Sequence, residues 1–211
     1  MQILYQGAES RIYLDTFDGH EAIVKERIPK GYRIKQLDEE LRKLRTRKEV
    51  KLLTEVRKIG IPTPKIFNVD EINHKIIMEN IKGNRLKEHL GSVSLEEVKS
   101  VCLQLGKQIG KLHMNNITHG DLTTSNMILK DGQIYFIDLS FGEFTKRIED
   151  KGVDLKLLKE AIKSTHFQIF DSAWESILQG YSEACKDADE VLKQLKEIEL
   201  RARYANREVP L

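Results

Sequence analysis

His119-Gly120-Asp121-Leu122-Thr123-Thr124-Ser125-Asn126, followed after a short apolar hairpin by Ile137-Asp138, is the stretch on which the reading of this chain turns. Moving a phosphoryl group from ATP requires divalent ions that bridge the phosphates, held by oxygen ligands on rigid backbone. It also requires a carboxylate that orients the attacking hydroxyl or water and takes its proton. An Asp, four residues, an Asn, and an Asp closing the next hairpin supply those groups. Asp121 suits the proton-accepting role, and Asn126 and Asp138 suit the metal. Singly, each is an ordinary turn residue. Their order, with Asn126-Met127-Ile128-Leu129 and Ile134-Tyr135-Phe136-Ile137 flanking the turn Asp131-Gly132, gives them force.

Working back toward the N-terminus, Val24-Lys25 ends a strand, where a lysine reaches α- and β-phosphates from under a sheet. Such a lysine needs an acidic partner on a neighbouring helix. Glu49 is the candidate, because it adjoins the apolar positions Val50 and Leu53 and can point toward the sheet; Glu39 and Glu40 are rivals on the same helical stretch. Gly7-Ala8-Glu9-Ser10 reads as a phosphate-covering turn whose backbone N–H groups face anionic oxygens. Met78-Glu79-Asn80-Ile81 reads as the connector beside adenine, with Met78 lining the pocket and the Glu79 and Ile81 backbone close by.

Around these residues the chain divides by pattern. Ile3-Leu4-Tyr5, Arg11-Ile12-Tyr13-Leu14, Ala22-Ile23-Val24-Lys25, Ile66-Phe67-Asn68-Val69 and Lys75-Ile76-Ile77-Met78 read as five strands, with Asp18-Gly19 as a tight turn. Between the third and fourth, residues 34–59 are helical in period, with Leu37, Leu41, Leu44, Val50, Leu53 and Val56 on one face. Gly60 stops that helix, and Pro62 and Pro64 forbid its continuation. Ser94-Leu95-Glu96-Glu97 is a capping box opening a helix that carries Val98, Val101, Leu105, Ile109 and Leu112 on one face. Helical patterns resume at Val153–Lys163, Ala173–Ala184 and Ala188–Tyr204. The expectation is an α+β, protein-kinase-like bilobal fold that forms a cleft. Residues 1–80 would be a five-stranded antiparallel N-lobe with one main helix, and residues 81–211 a truncated helical C-lobe.

Composition bounds the class. The chain has 211 residues, of which 40% are hydrophobic and 32% charged, enough to bury a core without disulfides. Its two cysteines, Cys102 and Cys185, fit buried thiols in a reducing compartment. No apolar run approaches a membrane span, and a cytoplasmic protein without membrane contact is expected. Lys plus Arg total 35 against 33 for Asp plus Glu, so net charge alone predicts no nucleic-acid binding. Basic residues do concentrate at 25–58 and 196–207. The last helix places Val191, Leu192, Leu195, Ile198 and Ala202 on one face. Arg201, Arg203, Tyr204 and Arg207 follow as a candidate contact for nucleic-acid phosphates or a partner surface.

The catalytic segment has the spacing of the kinase catalytic loop and metal-binding Asp, with His-Gly-Asp in place of His-Arg-Asp. Gly7-Ala8-Glu9, Glu49-Val50-Lys51-Leu52-Leu53, Gly60-Ile61-Pro62-Thr63-Pro64 and Val153-Asp154-Leu155 before Ser164-Thr165-His166 extend the likeness. Across nearly its whole length the chain resembles the PRPK-type small atypical protein kinases, the kinase/ATPase subunits of the KEOPS (EKC) complex. The resemblance implies an ATPase or serine/threonine-type kinase, from an archaeal source, supporting the installation of threonylcarbamoyladenosine in tRNA. It implies ATP with Mg²⁺ (or Mn²⁺) as cofactors, the metal-containing threonylcarbamoyl-transferase and other KEOPS subunits as partners, and tRNA reached indirectly or through the basic tail. Where the family usually has Asp-Phe-Gly, this chain has Asp138-Leu139-Ser140-Phe141-Gly142. No Ala-Pro-Glu segment follows, and Thr123 stands where many kinases have a lysine, so slow phosphotransfer or ATP hydrolysis is expected. The alternatives are a small-molecule kinase of aminoglycoside or choline type and a non-catalytic ATP-binding scaffold.

Overall fold

The structure, a computed structural model, describes residues 2–205 and their side chains through residue 202. The chain divides after Lys82 into two compact units. The first begins with strands β1 (Gln2–Gln6), β2 (Ser10–Phe17) and β3 (His20–Arg27), continues with helix α1 (Lys35–Lys58), and ends with β4 (Ile66–Asp70) and β5 (Lys75–Glu79). All pairings are antiparallel, in the order β1-β2-β3-β5-β4. The β2–β3 hairpin closes through Asp18 and Gly19, both at positive φ, the two-residue turn whose twist matches that of the flanking strands.

Helix α1 shows where periodicity misleads. Its second half buries Leu52, Leu53 and Val56 against the sheet core of Ala22, Val24 and Ile76, each large side chain contributing about 1.5–3 kcal/mol. Its first half does not bury the expected Leu37 and Leu44, which are exposed; the residues turned inward are Asp38, Thr46 and Glu49. The reason is charge: Asp38 meets Arg33 and Arg42, and Glu49 meets Lys25 and Arg27, so inward carboxylates are neutralised by cations rather than left uncompensated. After Gly60, at positive φ, the chain is tied back to α1 by the Thr63 hydroxyl donating to the Leu53 carbonyl and by Arg57 donating to the Thr63 carbonyl.

The second unit holds β6 (Asn84–Arg85), α2 (Leu86–His89), α3 (Leu95–Met114), β7 (Ile117–Thr118), β8 (Met127–Lys130), β9 (Gln133–Phe136) and β10 (Glu143–Phe144). Helices α4 (Ile148–Thr165), α5 (Phe170–Ala184) and α6 (Ala188–Ala205) complete it. Ser94 caps α3 by accepting the Glu97 N–H at 3.2 Å, and Val98, Val101, Leu105, Ile109 and Leu112 are all buried. Helices α3 and α5 approach until backbone meets backbone. A Cβ at Gly106 would collide with the Ile177 carbonyl oxygen, and one at Gly180 with the Leu103 carbonyl oxygen. Small strands β8 and β9 form the apolar hairpin with β6, and β7 pairs with β10. Cys102 and Cys185 are free and buried, burial pushing the Cys102 thiol up to about 12. Among the described residues no helix is long and apolar enough to cross a membrane.

Candidate active site

In the first unit the expected lysine and glutamate meet. Lys25, on β3, donates from Nζ to Glu49 Oε1 at 2.6 Å, in a place where Glu49 has no exposure and Lys25 almost none. Glu39 and Glu40 are exposed. The other Glu49 oxygen accepts from Arg27 Nη2 at 2.5 Å, a contact not anticipated from the sequence. Its signal was there in the Lys-x-Arg spacing, because residues two apart on a strand leave the same face.

The turn Gly7-Ala8-Glu9-Ser10 is closed by the Gly7 N–H donating to the Ser10 carbonyl at 2.9 Å. Glu9 reaches back to Arg45 of α1 and to Arg33. Burial would raise the Glu9 carboxyl, but the hydrogen bonds and charges of Arg45 and then Arg33 outweigh it and hold the carboxyl below its ordinary range. At the end of β5, Met78 and Ile81 are buried, and the Glu79 N–H donates to the Lys65 carbonyl at 2.8 Å.

In the second unit the catalytic loop lies between β7 and β8. Asn126 donates from Nδ2 to both the Asp121 carbonyl (2.9 Å) and Asp121 Oδ2 (2.8 Å). That bond fixes the carboxylate and turns the amide oxygen of Asn126 away from it. The Ile137 N–H donates to the Asn126 carbonyl at 3.1 Å, tying the segment that carries Asp138 to the loop. Asp138 accepts the Ser140 N–H at 2.9 Å, and the Gly142 N–H closes a turn onto the Leu139 carbonyl. Leu139 is fully buried and Phe141 exposed, so Leu139 fills the apolar place after Asp138. Gly120 has φ +78 and presses on the Phe141 backbone so closely that a Cβ would collide with it. The glycine at this position thus has a steric cause: an arginine could not fit.

A buried relay holds the loop from beneath. Asp154 of α4 accepts the backbone N–H groups of His119 (2.5 Å) and Gly120 (2.8 Å). His113 Nε2 lies 3.3 Å from the same carboxylate, and its Nδ1 lies 2.9 Å from the Tyr181 hydroxyl. Burial raises the Tyr181 hydroxyl, as do nearby Cys185 and Asp154, so it keeps its proton. Burial would also raise Asp154, but the His113 hydrogen bond and the charges of His113 and His119 outweigh it and hold the carboxyl below 3.8. His119 is fully buried, its Nδ1 accepting the Asp121 N–H and its ring edge-on to Phe136. Burial pushes its pKa below 6.5 against the opposing pull of Asp154, Asp138 and Asp121. Sequence reading passed over the roles of His113, Asp154 and Tyr181; a lone acid beside buried Gly152 and Leu155 was the available clue.

At the far end, Arg201 Nη2 pairs with Glu149 of α4 at 3.0 Å on an exposed face. The Arg203 and Tyr204 side chains and all of Arg207 lie outside the described residues.

Among the described residues, no group of three or more His, Cys, Asp or Glu side chains gathers that could hold a metal by itself. The donor set of Asp138 and Asn126 instead fits an ion that takes one or two protein oxygens and completes its shell from phosphates and water, as Mg²⁺ does.

Comparison with known proteins bears on the family and the fold. The pattern of the RIO domain matches residues 11–142. The KEOPS complex subunit Bud32 of Pyrococcus abyssi is 47% identical over 215 residues, covering 98% of each chain. A probable bifunctional tRNA threonylcarbamoyladenosine biosynthesis protein of Methanothermobacter thermautotrophicus is 40% identical over 97% of this chain. This chain spans only 37% of that protein. Among solved structures, the Rio2 kinase of Chaetomium thermophilum, in a complex with ADP, Mg²⁺ and phosphoaspartate, aligns with a TM-score of 0.66 at 16% identity, over 97% of this chain and 72% of that one. WaaP in complex with acyl carrier protein aligns at 0.64 and 12%, over 96% and 88%. These two likenesses concern the fold.

Proposed function

The chain belongs to the RIO-domain family of atypical kinases, and on that premise we propose that it transfers or hydrolyses the terminal phosphoryl group of ATP as the kinase/ATPase subunit of a KEOPS complex, in support of tRNA threonylcarbamoyladenosine formation. The observation that carries the reading is the lock between Asn126 and Asp121, at 2.8 Å, beside Asp138. It supports a reading in which a carboxylate and an amide oxygen take the roles that phosphoryl transfer needs. When bound, Mg-ATP supplies an electrophilic phosphorus whose oxygen charge the metal offsets. Asn126 and Asp138 would hold that ion, Mg²⁺ or Mn²⁺, and Asp121 would orient the attacking hydroxyl or water and accept its proton. Lys25, paired with Glu49, would hold the α- and β-phosphates under the backbone of Gly7, Ala8, Glu9 and Ser10. Met78, Glu79 and Ile81 would bracket adenine.

The partner would be the threonylcarbamoyl-transferase subunit, with the other KEOPS subunits. The bifunctional relatives support this, since the part matching this chain is fused there to a longer segment. Arg201, Arg203, Tyr204 and Arg207 would contact tRNA phosphates or the partner, in the cytoplasm. The test is phosphate release from Mg-ATP by the chain alone, with the transferase subunit, and with tRNA added. Turnover that is slow alone and rises with the partner and tRNA is expected; none under any of the three conditions overturns the reading. A chain ending at residue 200 should lose the tRNA stimulation while keeping the basal rate.

A further inference from the structure

Glu49 gives each of its oxygens to a different cation: Oε1 to Lys25 at 2.6 Å and Oε2 to Arg27 at 2.5 Å. The carboxylate is inaccessible and both cations are 4% exposed. Lys25 and Arg27 leave the same face of β3, two residues apart. Arg27 also makes a long contact, 3.5 Å, to the Arg45 carbonyl, one turn before Glu49 on α1. A carboxylate held by a lysine alone can pivot about that point contact. A guanidinium on the opposite oxygen fixes its plane, and unlike an ammonium it keeps its charge when buried.

We propose that Arg27 is a positioning residue for nucleotide binding: it holds Glu49, and through it Lys25, in the phosphate-holding arrangement before nucleotide arrives. The proposal rests on Lys25 being the phosphate-holding lysine. Its physical content lies in what happens when Lys25 turns part of its charge to phosphate oxygens. With Lys25 on one oxygen and Arg27 on the other, Glu49 remains neutralised by Arg27 when Lys25 turns, so the dry interior does not acquire an uncompensated carboxylate. Lys25 can therefore be shared with a ligand at small cost, and α1 does not have to move to let it go.

The test is a double-mutant cycle on the full chain with Arg27→Met, Arg27→Lys, Glu49→Gln and the Arg27→Met/Glu49→Gln pair. Mg-ATP affinity is read by calorimetry and KM and kcat by phosphate release. Arg27→Met should weaken Mg-ATP binding and raise KM about tenfold with kcat altered far less, the pattern of lost uniform binding. Arg27→Lys should recover only part of that loss, because an ammonium restores charge without fixing the carboxylate plane. In the Glu49→Gln background, Arg27→Met should change affinity by less than about twofold, because its path to Lys25 is already cut. Equal losses in both backgrounds, or an Arg27→Met affinity matching the wild type, would overturn the proposal and leave Arg27 as packing. Should Arg27→Met not fold, Arg27→Gln carries the same cycle. A wild type that binds Mg-ATP without turning it over sinks the phosphotransfer reading instead, and the affinity cycle still decides the role of Arg27.

Discussion

In the first unit Lys25 and Glu49, 24 residues apart, meet through charge; in the second Asp121 and Asn126, five apart, meet because the backbone between them turns. The first arrangement depends on a helix packed over a sheet and on two cations balancing one buried acid. The second depends on backbone N–H groups captured by Asp154 and on helices brought together by glycines. The difference teaches where each half is vulnerable. Charge removal should strike the function of the first unit, and backbone or packing changes should strike the stability of the second.

Asp154→Ala should have the largest effect on folding. It strands two buried backbone donors and the His113 ring, a loss of about 3–5 kcal/mol as for other broken buried pairs. Urea unfolding measures it, and a drop below about 1 kcal/mol would mean that the loop is held by other contacts. Lys25→Ala should leave unfolding nearly unchanged, because Arg27 still neutralises Glu49, while Mg-ATP turnover falls about a hundredfold. Glu49→Ala should cost less turnover than Lys25→Ala and more than Glu39→Ala or Glu40→Ala, both exposed. A damaging Glu39→Ala would break the assignment of the helix partner.

Gly106→Ala sharpens the contrast from the packing side. Its methyl meets the Ile177 carbonyl, and forcing α3 from α5 should cost about 1–3 kcal/mol without removing a charge. Thermal melting reads the change; a neutral outcome would show that the two helices can slide apart freely.

The smallest expected effect is a dependence on pH. Burial holds His119, His166 and His74 below 6.5. The unfolded chain therefore takes up protons first, and stability falls as pH drops below 6.5 toward the depressed native values. Two of the three histidines belong to the second unit, so most of the slope should arise there. His119→Asn, which keeps an acceptor for the Asp121 N–H but cannot titrate, should flatten the fall in urea midpoint between pH 7 and 5. Asp154, held below 3.8 in the folded chain, adds stability that is complete above that value and disappears as pH falls through its native pKa.

How much of this was legible in the sequence follows the same division. Local patterns carried the strands, the Ser94 cap, the apolar face of α3 and the two hairpin turns, because each depends on residues near one another in the chain. The pairing of Lys25 with a helix glutamate was legible as a chemical need. Its second cation, Arg27, was not, because a strand-end arginine reads as surface until the helix is laid over it. Leu37 and Leu44 looked like core because periodicity counts apolar residues and cannot see that Asp38 and Glu49, each paired with cations, take the inward positions of α1. Gly120 read as the loss of an arginine, whereas its backbone conformation and the nearby Phe141 carbonyl demand glycine. His113, Asp154 and Tyr181 come from three different helices, so nothing local joins them.

The most direct test of the account is phosphate release from Mg-ATP by the wild type and by Asp138→Ala, with both chains shown by circular dichroism to be folded alike. The account predicts measurable turnover in the wild type and a fall of about a thousandfold in the variant, the size expected when the stabiliser of developing charge is removed. Turnover by Asp138→Ala at the wild-type rate would contradict it.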